Sequence, residues 1–332
     1  MSTLLRAALA AASLYVSGCA IRPLPEDFSG VPTPIIVKQI RCETRKAAID
    51  LALGYLRSPR NLEDRRVDAR SHAIGQQFDN GRPIQEFSPK LFSGHARDVL
   101  RLFYNTGVAY TFDLEMTETN NLNTEINLLQ PLTGSTFTLG IKARADRSRK
   151  NERIFTITDN FSGLIRLPDD YCSGKSIGRA YNHIVPPNYI YPITGEIGVK
   201  GFMMDFINMT IFENLGGPKD NRGAPPTLVD ALEFQTILGG SLAPKIEFVK
   251  AGRGLQVADA SVTGDVTRID LHKITMGLAI EKTGAPLLAP VRAFPFAALV
   301  SATPATPAEA RAAEAVDQVL TLKLFRPQLI VP

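Results

Sequence analysis

Apolar residues recur at helical spacing in the first third of the chain and at every second position in two later stretches. Ile36, Ile40, Thr44, Ala47, Leu51 and Tyr55 fall on one face of a helix, with Ile35, Cys42, Ile49 and Leu56 on a second line. Thr33 suits the cap, Pro34 suits the first turn, and Ser58-Pro59 ends the helix. Residues 57–90 carry charge and turn formers (Arg65-Arg66, Asp79-Asn80-Gly81), which predicts an exposed, irregular connection with room for a short helix. Ser93 to Tyr104 reads as a second helix.

From Val108 the period becomes two. Tyr110, Phe112, Leu114 and Met116 alternate with polar neighbours, and Glu125 to Leu128 keeps the strand character. Phe137, Leu139, Ile141, Ala143 and Ala145 alternate with Thr138, Lys142, Arg144 and Asp146, and Ile154 to Thr158 is a further strand. Turn signals at Asn120-Asn121, Pro131 to Gly134 and Ser148 to Asn151 divide this stretch into a four-stranded antiparallel meander with one apolar face. A second region repeats the plan. Ala231 to Leu238 lies over Ala109 to Met116, and Lys245 to Val249 over Glu125 to Leu129. Leu255 to Val262 matches the Phe137 strand, and Ile274 to Met276 lies over Phe155 to Ile157, the offset drifting only from 122 to 119 residues. The pattern predicts an α+β, β-dominated fold. Two duplicated four-stranded units pack their apolar faces as a sandwich or open barrel, with N- and C-terminal helices at the flanks.

Between the units, Leu167 to Gly201 is rich in Pro, Gly and Tyr, and Phe202 to Leu215 reads as a helix stopped by Gly216-Gly217-Pro218. After them, Gly284 to Pro307 is a Pro/Ala linker and Ala308 to Phe325 is helix-prone, with Ala312, Val316, Val319 and Leu320 on one side. A detached helix of that length is marginal in water, so it should dock on the body or on a partner.

The N-terminus follows another logic. Arg6 is the only charge before Arg22, and Ala7 to Val16 is an apolar run of ten residues. A membrane-spanning helix needs roughly 20, so the run fits the apolar segment of a secretory signal. The residues closing it, Val16-Ser17-Gly18-Cys19, resemble the lipobox of bacterial lipoproteins, over about the first twenty residues of the chain. The resemblance implies cleavage before Cys19 and acylation of its thiol and new amine. It also implies that Ala20, where Asp signals inner-membrane retention, favours the outer membrane. Arg22-Pro23-Leu24-Pro25-Glu26-Asp27 then reads as an extended tether. The expected organisation is a signal peptide over 1–18, a tether over 19–33 and a helical and irregular region over 34–106. A first β unit covers 107–166, a Pro/Gly/Tyr-rich loop and helix 167–229 and a second β unit 230–283. A linker over 284–307 and a C-terminal helix and tail over 308–332 complete it.

Charge changes this picture little. The chain has 37 basic and 33 acidic side chains, and removing residues 1–18 takes away one Arg and no acid. A mature balance this close to neutral implies no nucleic-acid partner. If Cys19 is acylated, Cys42 and Cys172 are left, and an oxidising periplasm permits a bond between them. Two separate thiols are the alternative, because sequence does not report how close the two Cα atoms lie.

Candidate chemistry is thin. Gly174-Lys175-Ser176-Ile177-Gly178 matches the G-x-S-x-G pattern that exposes a serine nucleophile between a buried strand and a helix. His183 and Asp170 are the available partners for Ser176, but Asp169 to Ser173 do not read as a buried strand. A Gly-rich turn fits the flanks better. Tyr171, Tyr181, Tyr189 and Tyr191 cluster with Pro186-Pro187 and Pro192, and such rings either stack on a ligand or pin their own loop. His72, His95, His183 and His272 show no metal-ligand spacing, so neither metal nor cofactor is expected. The basic run Lys142, Arg144, Arg147, Arg149, Lys150 and Arg153 either faces anionic headgroups or protects a sheet edge.

The functional expectation is a non-enzymatic lipoprotein at the periplasmic face of the outer membrane. Its partners would be membrane lipid through Cys19 and a protein of the envelope. A serine hydrolase using Ser176 and His183 and a ligand-binding module using the Tyr171–Tyr191 loop are the alternatives.

Overall fold

The computed structural model describes residues 23–24, 27, 31–133, 135–172, 192–217, 225–247, 255–280 and 306–324. The chain divides into two compact units. The helical unit is Phe28–Leu114, Arg153–Phe234 and Leu271–Pro332; the strand unit is Met1–Asp27, Glu115–Glu152 and Gln235–Asp270. The fold is α+β and β-dominated, with an antiparallel sheet of five strands and flanking helices among the described residues.

The hub of the helical unit is α1 (Thr33–Arg57), which buries Ile36, Ile40, Thr44, Ala47, Ala48, Ala52, Leu53 and Leu56. Its cap is Pro32 rather than Thr33. Thr33 opens the helix and its hydroxyl accepts from Arg153 Nη1 at 2.6 Å. Ser58-Pro59 ends α1, and the Ser58 hydroxyl accepts from the Asn61 N–H to start α2 (Pro59–Glu63). The next stretch corrects the sequence reading. Residues 57–90 are not an irregular connection: they hold α2, α3 (Ala69–Asp79) and two 3₁₀ turns, and they bury Val67, Phe78 and Phe87. Asp68 caps α3 through the Ser71 N–H at 2.9 Å. Phe78, Phe87 and Phe92 form a chain of rings with centroids 5.5 Å apart, and Phe87 continues it to Tyr104 of α4 (Gly94–Tyr104). The apolar payload here is a few large rings rather than a periodic stripe, so the spacing of apolar positions did not reveal it.

The strands are longer than their turn signals predict. β1 (Gly107–Leu132) runs unbroken through Asn120-Asn121, and β2 (Ser135–Asn160) runs through Ser148 to Asn151. The four short strands expected of the first β unit are therefore two strands of 26 residues each. Cross-strand pairs hold the polar stretches extended: Glu118 with Arg149 at 2.9 Å and Glu125 with Lys142 at 3.3 Å. The second region forms β3 (Thr227–Leu242), β4 (Lys245–Glu247) and β5 (Gln256–Ala279). Ala243-Pro244 separates β3 from β4, where proline cannot donate to the ladder. The sheet order is β2-β1-β5-β3, and β4 pairs antiparallel with β5 in the register Lys245↔Ser261, Ile246↔Ala260, Glu247↔Asp259.

Within the helical unit, the first residues of β1 are buried on both faces. Phe112 stacks on Phe155 with centroids 4.9 Å apart, and the Thr111 and Thr156 hydroxyls lie 2.9 Å apart. The C-terminal helix, α7 (Pro307–Leu324), docks on the body: Ala312 and Val316 form a cluster with Ala109 and Ala279. Thr306 and Glu309 make a capping box, the Glu309 N–H donating to the Thr306 hydroxyl and the Thr306 N–H to the Glu309 carboxylate. Two glycines allow the close approach. A Cβ on Gly107 would sit 2.3 Å from the Ala308 carbonyl carbon, and one on Gly277 2.6 Å from the Ala312 oxygen. Gly277→Val is expected to destabilise the chain by about 1–3 kcal/mol through overpacking. A urea titration measures the loss, and faster proteolysis within α7 should accompany it; an unchanged midpoint would mean the helix is not seated on Gly277.

Candidate functional site

The segment after α5 (Phe161–Ile165) is where sequence reasoning placed its candidate chemistry. Its described part is bound tightly to α1. Cys42 and Cys172 are joined by a disulfide with Cα atoms 5.6 Å apart. Arg41 reaches Asp159 with both Nε and Nη2, at 2.7 and 2.6 Å, and donates to the Tyr171 hydroxyl at 3.0 Å. One turn on, Arg45 donates to Asp169 at 2.7 Å and to the Leu167 carbonyl at 3.1 Å. Lys38 Nζ and the Arg41 guanidinium lie 4.8 and 5.7 Å from the centre of the Tyr171 ring. Positions 38, 41, 42 and 45 share one helix face, which is why a single stretch of α1 makes all these contacts.

The electrostatics follow from those contacts. Hydrogen bonding to Asp159 holds the Arg41 guanidinium above its ordinary range, against the opposing effect of burial. The Arg45 hydrogen bond, helped by Gln85, holds the Asp169 carboxyl below the usual carboxylate range. Burial pushes the Tyr110 phenol well up.

Of the residues singled out from sequence, Tyr171 is spent on α1, Asp170 is exposed two positions before Cys172, and Cys42 and Cys172 meet. Ser176, His183, Tyr181, Tyr189 and Tyr191 lie outside the described residues, as does Cys19. Among the described residues no cluster of three or more His, Cys, Asp or Glu is placed to hold a metal ion. Nearby, Glu43 accepts three backbone N–H groups, from Ile197, Gly198 and Val199, at 2.8 to 2.9 Å. It thereby caps α6 (Val199–Phe212) from another helix, a role no local motif announces. An apolar cavity between α1, α4 and α6, lined by Leu51, Tyr55, Leu100, Phe103, Phe206 and Ile280, holds only about 50 Å³. Small-molecule sites usually need several hundred.

The strand unit presents the larger feature. In β2 from Phe137 to Ala145, and in β5 from Ala258 to Val262, apolar and polar residues alternate. Asn127 donates to Asp259 at 2.8 Å, a Cβ on Gly140 would lie 3.0 Å from the Asn127 oxygen, and Lys142 pairs with Glu125. These contacts set Asn127, Glu125, Lys142 and Asp259 on one side. The opposite side carries Leu122, Phe137, Leu139, Ile141, Ile246 and Val262. They are exposed: Phe137 49%, Ile141 50% and Ile246 60%. Sequence reasoning saw this alternation in β2 but expected its apolar side to be covered.

The apolar side ends in an ionic cluster. Arg268 clasps Asp270 through Nε at 2.9 and 3.0 Å, reaches Glu118 at 3.3 Å, and has Asp27 at 4.0 Å. Asp270 is 1% exposed. Arg149 also meets Glu118. Two carbonyls of the N-terminal segment are fixed here. Leu24 O accepts from Arg268 Nη2 at 2.7 Å, and Pro23 O accepts from the Asn151 amide at 2.8 Å. Two further members of the basic run on this unit are paired, Arg144 with Asp146 and Lys150 with Glu115.

A family model described as "Uncharacterised protein y4kA" matches residues 22–287. An "Uncharacterized protein y4kA" of Sinorhizobium fredii is 28% identical over 274 residues, which cover 82% of each chain.

Proposed function

The chain belongs to the y4kA family of uncharacterised proteins, and we propose that it is a lipid-anchored, non-enzymatic protein on the periplasmic side of the outer membrane, with a binding or scaffolding role in the envelope. The observation that carries this reading is Cys19 directly after Val16-Ser17-Gly18 and the apolar run before it. Two or more acyl chains on one residue give stable anchoring, at about 0.8 kcal/mol per buried methylene. The Cys42–Cys172 disulfide supports an exported chain, because such bonds persist in oxidising compartments. The tether supports it as well. Its carbonyls at Pro23 and Leu24 are held by Asn151 and Arg268, so the chain just after Cys19 is fastened to the strand unit.

The test is metabolic labelling with palmitate in a bacterial host, followed by mass spectrometry of the N-terminal peptide. The expected result is label on a chain that begins at Cys19 and sediments with outer membranes. A full-length, unlabelled product in the soluble fraction would overturn the proposal.

A further inference from the structure

We propose that the strand unit is part of the wall of a transmembrane β-barrel built from several copies of this chain, its apolar side against lipid hydrocarbon and its polar side against water. The inference rests on the anchored reading above and deepens it by naming what the unit does in the membrane.

Four observations carry it. The first is the alternation. In β2 the residues Phe137, Leu139, Ile141, Ala143 and Ala145 face one way, and Thr138, Gly140, Lys142 and Arg144 face the other. In β5 the same holds for Ala258, Ala260, Val262 and Val266 against Asp259, Ser261, Thr263 and Asp265. The apolar side of an ordinary sheet packs on a core; here its large members stay exposed.

The second is length. The uninterrupted apolar alternation of β2 covers the nine positions 137–145. A tilted strand crosses the hydrocarbon core in about 9–11 residues.

The third is the boundary. The apolar band stops at Glu118 and Arg149, charges suited to the headgroup level, with the buried Arg268–Asp270 pair beside them. The tether is bound at that same end of the same side, through Pro23 and Leu24. Cys19 precedes Pro23 by four residues. An extended chain covers at most about 3.6 Å per residue, so Cys19 is within about 14 Å of Pro23. Acyl chains on Cys19 would enter the lipid that the apolar side faces.

The fourth is the sheet order. The two repeats lie as second strand, first strand, second strand, first strand, in the order β2-β1-β5-β3. The junction between them joins β1 to β5, a first strand to a second strand. Pairing β3 of one copy with β2 of the next repeats that junction, with strand directions still alternating. Unpaired strand edges are not tolerated in hydrocarbon, so the edges at β2 and β3 require closure. A head-to-tail contact of this kind forms a ring when the rotation between successive copies closes. β4 lies on β3's side of β5, so each copy supplies four strand positions; that gives an even-stranded barrel, and the smallest such barrels have about eight strands, so two copies are the minimum.

The test uses the full lipidated protein extracted from outer membranes and reconstituted in phosphatidylcholine vesicles. Single cysteines at Thr138, Leu139, Ile141 and Lys142 carry an environment-sensitive fluorophore. Cys42 and Cys172 are bonded and Cys19 is acylated in this preparation, which leaves the introduced thiol to react. Lipids bearing a quencher on the acyl chain should quench the probes at 139 and 141 at least threefold more than those at 138 and 142. The unlabelled protein should run as an oligomer and produce stepwise conductance in planar bilayers. Equal, weak quenching at all four positions on a palmitoylated protein would overturn the barrel and leave the anchored reading standing. Protection of 139 and 141 from a water-soluble quencher without quenching by lipid would also overturn it, since a protein surface would then cover the apolar side. Loss of palmitate together with loss of membrane association would remove both readings.

Discussion

Replacing Cys42 and Cys172 together by Ser should lower the stability of the folded chain by about 4–5 kcal/mol. The bond closes a loop between residues 130 apart in sequence, and in the chain-entropy picture a loop of that size restricts the unfolded ensemble strongly. The folded state of the double variant keeps its other ties to α1. Arg41 still holds Asp159 and Tyr171, and Arg45 still holds Asp169. Folding should survive, while the unfolded chain becomes less compact. Urea denaturation of the oxidised protein and of the Ser/Ser variant separates the two effects: the midpoint falls, and the dependence on urea steepens because more surface is exposed on unfolding. Equal midpoints would show that the unfolded chain is no less restricted without the bond.

Arg268→Met should cost about 3–5 kcal/mol. The substitution removes the guanidinium whose Nε donates to both carboxylate oxygens of Asp270, while Asp270 stays almost wholly inaccessible to water. The penalty comes from a carboxylate stripped of its counter-charge inside the protein, more than from the lost attraction itself. The companion variant Arg268→Met with Asp270→Leu should recover most of that loss, because a packed apolar pair of similar volume does about as well as a buried ion pair. Denaturation of the two single variants and the double one gives the coupling between the sites. Losses that simply add would show that Asp270 does not depend on Arg268. A second readout follows from Leu24, whose carbonyl Arg268 also holds. Proteolysis near Pro23 should speed up in Arg268→Met and in the double variant alike, since both lack that donor.

Much of the architecture was legible before any coordinates. The spacing of Ile36, Ile40, Thr44 and Ala47 marked α1 to within a residue of its observed start. The alternation from Tyr110 to Met116 and from Phe137 to Ala145 marked β1 and β2, and the offset of about 120 residues marked the second pair. These signals are local, because one buried stripe or face imposes its period on the chain that carries it. The turn signals misled for the same reason. Asn120-Asn121 scores as a turn by itself, yet a partner strand holds it extended.

The candidate site was legible only in part. Cys42 and Cys172 could be named as partners, but two residues 130 apart share a bond only once α1 and the segment after α5 have met. Glu43 as the cap of α6, Gly107 and Gly277 as seats for α7, and Arg268 on Asp270 and Leu24 left no mark in the pattern. Each is a contact between segments far apart in sequence or a matter of which neighbour happens to be close.

By itself, then, the sequence determined the periods of the helices and strands and the repetition of an alternating β segment. The tertiary structure alone decided that the first repeat is two long strands, that the repeats lie side by side in the order β2-β1-β5-β3, and that large apolar side chains of β2 and β5 stay exposed beside an ionic cluster holding Pro23 and Leu24. Periodicity says which residues share a face. It carries no information about what that face meets, because the answer depends on the register and order of strands that only the folded chain brings together.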